Sequence, residues 1–194
     1  MTHENAAQKS IARQKAREAL RTTSPSERHT SSSSIRNTLA DNLLGTHTTI
    51  LAFAPLPLEP DLLPLITRYP KSRFAFPRVT GDGTMSLHVA TSPYQLTASG
   101  SFIPEPDPRR CPVIHPAEFS LALIPGLAFD PTTGRRLGHG GGFYDRLLAN
   151  PSFTAKAVGV AFACQLSIPF PTEAHDQPVT AVVSERGLSP LRNM

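Results

Sequence analysis

Leu121-Ala122-Leu123-Ile124 continues through Pro125-Gly126-Leu127-Ala128-Phe129-Asp130 to Gly134-Arg135-Arg136-Leu137-Gly138-His139-Gly140-Gly141-Gly142-Phe143-Tyr144-Asp145-Arg146. The unbroken apolar tetrad reads as a buried strand, and the glycine segment lies between that strand and a following helix. Four glycines fall within the five positions 138–142. Ordering them is entropically costly, so the chain there needs positive φ angles or the close approach of another group to the backbone. Successive bare N–H groups form an anion nest, the following helix adds the positive end of its dipole, and Arg135, Arg136, His139 and Arg146 supply charge around it. A phosphate chain is the natural occupant, and a glycine-rich turn without a ligand is the plain alternative. Two familiar phosphate loops are excluded. Gly-x-x-x-x-Gly-Lys-Ser/Thr does not occur, and Phe143 stands where a dinucleotide fingerprint requires its third glycine.

The same apolar character recurs on both sides of this stretch, in Thr48 to Phe53, Arg73 to Phe76, Ala157 to Phe162 and Thr180 to Val183. Helical patterns come between. Ala12, Ala16, Ala19 and Leu20 recur at helical spacing, with Lys9, Arg13, Arg17 and Arg21 as a basic stripe. Ser24-Pro25-Ser26-Glu27 is a capping box with proline at the first helical position, opening a helix through Ile35 and Leu39 to about Leu44. Pro60 is expected to open another through Leu62, Leu63 and Ile66. Gly81-Asp82-Gly83 predicts a turn into a hairpin arm over Met85 to Val89. Gly100 to Pro116, rich in proline and charge, predicts a long surface connection. Continuous apolar strands alternating with helices define an α/β chain: a three-layer α/β/α domain, 1–194, with a mainly parallel, partly mixed sheet.

Composition narrows the function classes. A length of 194 residues suits one ordinary domain, and the 39% hydrophobic and 18% charged content describes a soluble globular protein. No run approaches the ~18 apolar residues of a membrane span. The net charge of +4 sits wholly in residues 1–36, where seven basic residues face three acidic ones. The remainder is balanced and holds no recognisable reading element, so no nucleic-acid partner is expected. Cys111 and Cys164 are far apart and form no Cys-x-x-Cys pair, which points to a reducing, cytoplasmic setting. The N-terminus lacks the apolar core of a secretory signal. Its Arg and Ser content partly imitates a transit peptide, against which Glu4, Glu18 and Glu27 weigh. No Gly-x-Ser-x-Gly and no catalytic-type histidine or cysteine constellation is present.

The run from Leu123 to Arg146 resembles the signature of the 5-formyltetrahydrofolate cyclo-ligase family: an apolar strand, Pro-Gly-x-Ala-Phe-Asp, then Gly-x-Arg-Leu-Gly-x-Gly-x-Gly-x-Tyr-Asp-Arg. Arg135 is an additional residue near the start of that pattern. Similarity extends to Lys9 and Arg13, to Ser24 through Arg28, to Glu59, Glu105-Pro106 and Gln165, and to His175-Asp176. The resemblance implies a coenzyme A transferase-like three-layer fold and an ATP-dependent conversion of 5-formyltetrahydrofolate to 5,10-methenyltetrahydrofolate, with release of ADP and phosphate.

By the same resemblance, ATP would be held by Lys9, Arg13, Arg136, Leu137, Gly138, His139, Gly140, Gly141, Gly142, Phe143 and Tyr144. The folate would meet Arg13, Ala54, Glu59, His139, Gly140, Gly141, Gly142 and Phe143. Asp145 and Asp176 would carry Mg2+. Their plain alternatives are a carboxylate at a helix N-terminus and a turn residue beside Pro178. In the implied mechanism the N5-formyl oxygen attacks the γ-phosphate and N10 closes on the activated carbon. The protein aligns the reactants and neutralises charge, with Arg136 as the catalytic residue. His139 occupies a position often held by Tyr, and Phe143 replaces the first Tyr of a Tyr-Tyr pair. His115 and His175 are read as structural. The expected partners are small molecules alone, the folate with or without a polyglutamate tail, bound by a monomer. Two alternatives stand beside this reading: a phosphosugar isomerase or coenzyme A transferase of related architecture, and a non-catalytic folate- or nucleotide-binding module.

Overall fold

The computed structural model describes residues 3–46, 48–81, 83–98 and 103–191. Asp82 in the expected turn, and residues 100–102 at the start of the expected connection, lie outside the described residues. Five strands form a parallel block: β1 (Thr49–Leu51), β2 (Arg73–Val79), β6 (Leu121–Ile124), β9 (Lys156–Val160) and β10 (Ala181–Ser184). An antiparallel strand closes each edge, β3 (Met85–Ala90) beside β2 and β11 (Gly187–Pro190) beside β10. The order is β11-β10-β9-β6-β1-β2-β3. The expected mainly parallel, partly mixed sheet is therefore present.

Strand side chains alternate between faces, and this splits the core in two. Ile50, Leu121, Leu123, Val158 and Val183 pack with Ile35 and Leu39 of α2 (Pro25–Asn42) and with Ala16 and Leu20 of α1 (His3–Thr22). Leu51, Ala122, Ala157 and Val182 face Phe119, Phe153 and Leu147, the last from α4 (Phe143–Leu148). The capping box of α2 forms as expected: the Glu27 amide donates to Ser24 Oγ at 3.2 Å and the Ser24 amide donates to Glu27 Oε2 at 2.8 Å. The serine run within α2 has a use, since buried Ser32 accepts the Asp61 amide at 3.1 Å.

Two expectations are corrected. The helix expected from Pro60 begins only at Pro64, as α3 (Pro64–Arg68). A helix from Pro60 would put Pro64 in its interior, where the ring clashes with the carbonyl four residues back. At the first helical position that conflict disappears. The expected connection also contains β5 (Pro104–Pro106), which pairs with β4 (Leu96–Ala98), and buries Glu105, Cys111 and Ile114. Among the described residues it is therefore part of the packed body.

The strand–loop–helix stretch is fastened by a short hairpin, β7 (Ala128–Phe129) against β8 (Arg136–Leu137). Phe129 is fully buried, and its ring lies where a Cβ on Gly126 or Gly159 would approach to 2.9 or 2.5 Å. The hairpin loop turns at Gly134, φ +71°, and is tied by Asp130, whose Oδ1 accepts the Thr132 amide at 2.8 Å. Gln165, wholly buried, donates to the carbonyls of Gly126 at 2.7 Å and Leu127 at 3.2 Å. These contacts fix where the glycine segment leaves the sheet.

Candidate functional site

The chain starts the sheet at β1, adds β2 on one side, and later adds β6, β9 and β10 on the other. Strand order therefore reverses between β1 and β6. In open α/β sheets, the carboxyl ends of strands at such a reversal leave a crevice. A cavity of about 490 Å³ opens there, walled by Phe53 and Ala54 beyond β1 and by Pro125 beyond β6. The glycine segment forms a further wall, and α1 closes the opposite side with Lys9 and Arg13.

The glycines behave as their sequence requires. Gly140 and Gly142 have φ +116° and +65°, and a Cβ on Gly141 would meet the Phe143 ring at 2.6 Å. Among the described residues, no protein acceptor takes the amides of Gly140, Gly141 or Gly142. Arg13 spans the segment: its Nε donates to Gly138 O at 3.0 Å, and its guanidinium carbon lies 3.8 Å from where a Cβ on Gly140 would stand. Since α4 has only six residues, the helix dipole is a minor contributor beside these amides and cations.

The charged groups are paired under partial burial. Arg136, its side chain 3% exposed, donates to Asp145 Oδ1 at 2.7 Å and lies 5.7 Å from the Tyr144 ring centroid. Its Nε is buried without a hydrogen-bond partner among the described residues. Burial pushes the Tyr144 phenol well up, with Glu59 adding to that and Arg136 opposing it, so the hydroxyl keeps its proton at neutral pH. His139 Nε2 lies 3.2 Å from Glu59 Oε1 across the mouth of the cavity.

Asp176 and Asp145 are brought together by the residue that follows Asp176: the amide of Gln177 donates to Asp145 Oδ1 at 3.3 Å. The Lys9 ammonium donates to Asp176 Oδ2 at 2.8 Å and Oδ1 at 3.1 Å, and to Glu173 Oε2 at 2.8 Å. Burial alone would raise the Asp176 carboxyl. The Lys9 and Glu173-amide hydrogen bonds, with the attraction of Lys9, outweigh it and hold the group below its ordinary 3.8. Burial likewise works against the charge of Lys9, yet Asp176 and Glu173 together raise it above 10.5. Arg135 donates to the Asp176 carbonyl at 2.6 Å and pins this segment to the hairpin.

The fifteen residues that the resemblance assigns to ligands line this one cavity: Lys9, Arg13, Ala54, Glu59, the run Arg136 to Asp145, and Asp176. Arg135 and Arg146, expected to add charge around the glycines, lie outside its lining, Arg135 on the Asp176 carbonyl and Arg146 over the Phe143 ring. Lys9 departs from the expected basic stripe. It continues the buried stripe of Ala12, Ala16 and Leu20, whereas Arg17 is half-buried and Arg21 is exposed. Sequence reasoning missed Glu173 and the apolar end of the cavity, made by Pro77, Val79, Met85 and Ile103. In the fold Glu173 gathers with His175 and Asp176, and their ligand atoms all lie within 4.8 Å of one another. His175, read as structural, also lines the cavity, while His115 caps a short turn by accepting the Ala117 amide at 3.2 Å. Neither cysteine is disulfide-bonded. No helix among the described residues is long and apolar enough to cross a membrane.

Fold and cavity define an α/β protein with a crevice at a sheet reversal, where open glycine amides, carboxylates and cations meet. Residues 5–185 match the 5-formyltetrahydrofolate cyclo-ligase family. The chain is 32% identical over 151 residues to the 5-formyltetrahydrofolate cyclo-ligase of Mycolicibacterium smegmatis, covering 74% of this chain and 77% of that protein. The NMR structure of Aquifex aeolicus 5,10-methenyltetrahydrofolate synthetase superimposes with a TM-score of 0.82 at 31% identity, over 96% of this chain and 94% of that one. The 5,10-methenyltetrahydrofolate synthetase from Mycoplasma pneumoniae shares the fold, with a TM-score of 0.73 at 19% identity over 91% of this chain and 98% of that one. The chain belongs to the 5-formyltetrahydrofolate cyclo-ligase family.

Proposed function

We propose that this protein uses ATP to convert 5-formyltetrahydrofolate to 5,10-methenyltetrahydrofolate, releasing ADP and phosphate. The observation that carries the reading is the meeting, in one cavity, of the open glycine amides with Lys9, Arg13, Arg136 and two aspartates, within a chain of this family. The substrate's N5-formyl oxygen forms a bond to the γ-phosphorus as the bond to the ADP oxygen breaks. N10 then attacks the activated formyl carbon, and phosphate leaves with the former formyl oxygen. No protein nucleophile is required. Burial pushes both thiols above their ordinary values, in keeping with that.

In this reading the amides of Gly140 to Gly142 and the guanidinium of Arg13 take phosphate oxygens, and Lys9 approaches from α1. Arg136, held in line by Asp145 and lining the cavity, meets the charge that develops on the transferring phosphoryl group. Leu137, Gly138 and His139 complete the nucleotide wall with Phe143 and Tyr144, while Ala54, Glu59 and His139 to Phe143 receive the folate. Asp145 keeps Oδ2 clear of any described donor, and hard carboxylate oxygens of Asp145 and Asp176 suit Mg2+. Bound there, Mg2+ would neutralise phosphate charge. Because all these residues come from one chain, we read the protein as a single domain over 1–194 acting as a monomer, and its unpaired cysteines favour the cytoplasm.

The test is a turnover assay with 5-formyltetrahydrofolate, ATP and Mg2+, following the absorbance of the methenyl product and omitting each component in turn. Product that needs all three is expected. Ligand binding without product would make the chain a non-catalytic binding module and overturn the reading.

A further inference from the structure

Lys9 is held by more than one carboxylate, and the arrangement is closed around it. Its ammonium has three protons, and it reaches three oxygens: Glu173 Oε2 at 2.8 Å, Asp176 Oδ2 at 2.8 Å and Asp176 Oδ1 at 3.1 Å. The side chains of Lys9, Glu173 and Asp176 are 9%, 9% and 11% exposed. Asp176 is also fixed by its neighbours. Its Oδ2 accepts the Glu173 amide at 2.8 Å, and its backbone carbonyl accepts Arg135 at 2.6 Å. Both oxygens of the carboxylate assigned above to the divalent cation are thus already engaged by a cation from α1.

A doubly charged ion cannot approach Asp176 in this arrangement without meeting the Lys9 ammonium at close range, where like charges repel strongly. Lys9 has somewhere else to go. It lines the same cavity as the glycine segment and Arg13, so a phosphate chain lying there offers its ammonium new oxygens. Glu173, whose Oε2 lies 2.8 Å from the Lys9 ammonium, keeps a second hold on Lys9 as Asp176 is given up.

Resting on the proposed function, we infer that Lys9, docked on Glu173, is a positioning residue for cation entry: its ammonium competes with the divalent cation for Asp176 until nucleotide phosphates draw it away. The cation consequently binds with the nucleotide and not ahead of it. Glu173 is the dock from which Lys9 makes that exchange.

Binding of Mn2+ alone, followed by the loss of its free-ion paramagnetic resonance signal, tests this without turnover. Wild-type protein is expected to bind Mn2+ weakly without nucleotide. Lys9→Met, which leaves Glu173 and Asp176 facing each other without a cation, is expected to bind it about tenfold more tightly or better. Adding Asp176→Asn to that variant is expected to abolish the gain. Equal Mn2+ affinity in wild type and Lys9→Met, or a gain that survives Asp176→Asn, overturns the inference. Should Lys9→Met fail to fold, carbon-13 labelling of lysine in the wild type decides. The Lys9 side-chain signal should hold its position on addition of Mg2+ alone and shift when a non-hydrolysable ATP analogue is added. A shift on Mg2+ alone overturns it. Failure of the proposed function is read separately, as absence of ATP-dependent methenyl product from the wild type.

Discussion

Replacing Arg136 by methionine removes the guanidinium while keeping an unbranched side chain of similar length in a position that is almost wholly buried. Two effects follow, of different size. The first is structural: Asp145 loses its 2.7 Å partner. Breaking a fully buried pair from one side costs about 3–5 kcal/mol. Asp145 is 20% exposed and keeps the Gln177 amide at 3.3 Å, so it can take water in place of the arginine. A cost of about 2 kcal/mol is therefore expected, lowering Tm by roughly 4–8 °C for a chain of this size. The second is catalytic. Losing one donor aimed at developing charge typically lowers kcat about 100-fold or more. The assay measures kcat and the folate KM by methenyl absorbance at saturating ATP, well below the new Tm. The expected outcome is a large fall in kcat with the folate KM changed only a few-fold. A kcat within about threefold of wild type would refute the role given to Arg136.

Other perturbations separate folding from binding. Gly159→Ala drives a methyl into the Phe129 ring, at 2.5 Å before relaxation, and should destabilise by about 1–3 kcal/mol in thermal denaturation, with Phe129→Leu restoring part of the loss. Gly140→Ala would set its methyl in ordinary contact with the Arg13 guanidinium, 3.8 Å away, but at a φ of +116°, a conformation costing a residue with a side chain about 1–3 kcal/mol. It should weaken binding of a non-hydrolysable ATP analogue, measured calorimetrically, and leave far-UV dichroism unchanged. The pH profile of stability should have two wings set partly by one cluster. Asp176 and Glu173 are depressed in the folded state, so their contribution is whole above their ordinary 3.8 and 4.5 and is lost as pH falls through the lower folded values. Lys9 is raised, so its contribution is whole below 10.5 and is lost as pH climbs through its higher folded value. Lys9→Met should flatten both wings in denaturant titrations, and unaltered slopes would count against the cluster.

The sheet was legible because β1, β6, β9 and β10 are uninterrupted apolar runs, which admit few other readings in a chain of this length. The glycine segment was legible for a different reason, since four glycines in five positions make little sense without a backbone demand. Where sequence reasoning failed, the cause was local geometry or distance. Pro64 overruled the periodicity that pointed to Pro60. The β7–β8 and β4–β5 ladders are two and three residues long, too short to leave a periodic trace, and exist because their ends are tied. Glu173 was invisible because its importance lies in a lysine 164 positions earlier. The burial of Lys9 escaped notice for the same reason: an ammonium on an apolar stripe looks misplaced until its carboxylates are found.

That separation along the chain also bears on biosynthesis. The first helix leaves the ribosome well before the carboxylates that will receive it, 164 and 167 residues later, have been translated. Its inward stripe consists largely of alanine, with Leu20 as the one large apolar member, so the waiting segment shows chaperones and neighbouring nascent chains little to adhere to. Sealing the pocket thereby waits until the stretch around Glu173 and Asp176 has emerged to clasp the helix.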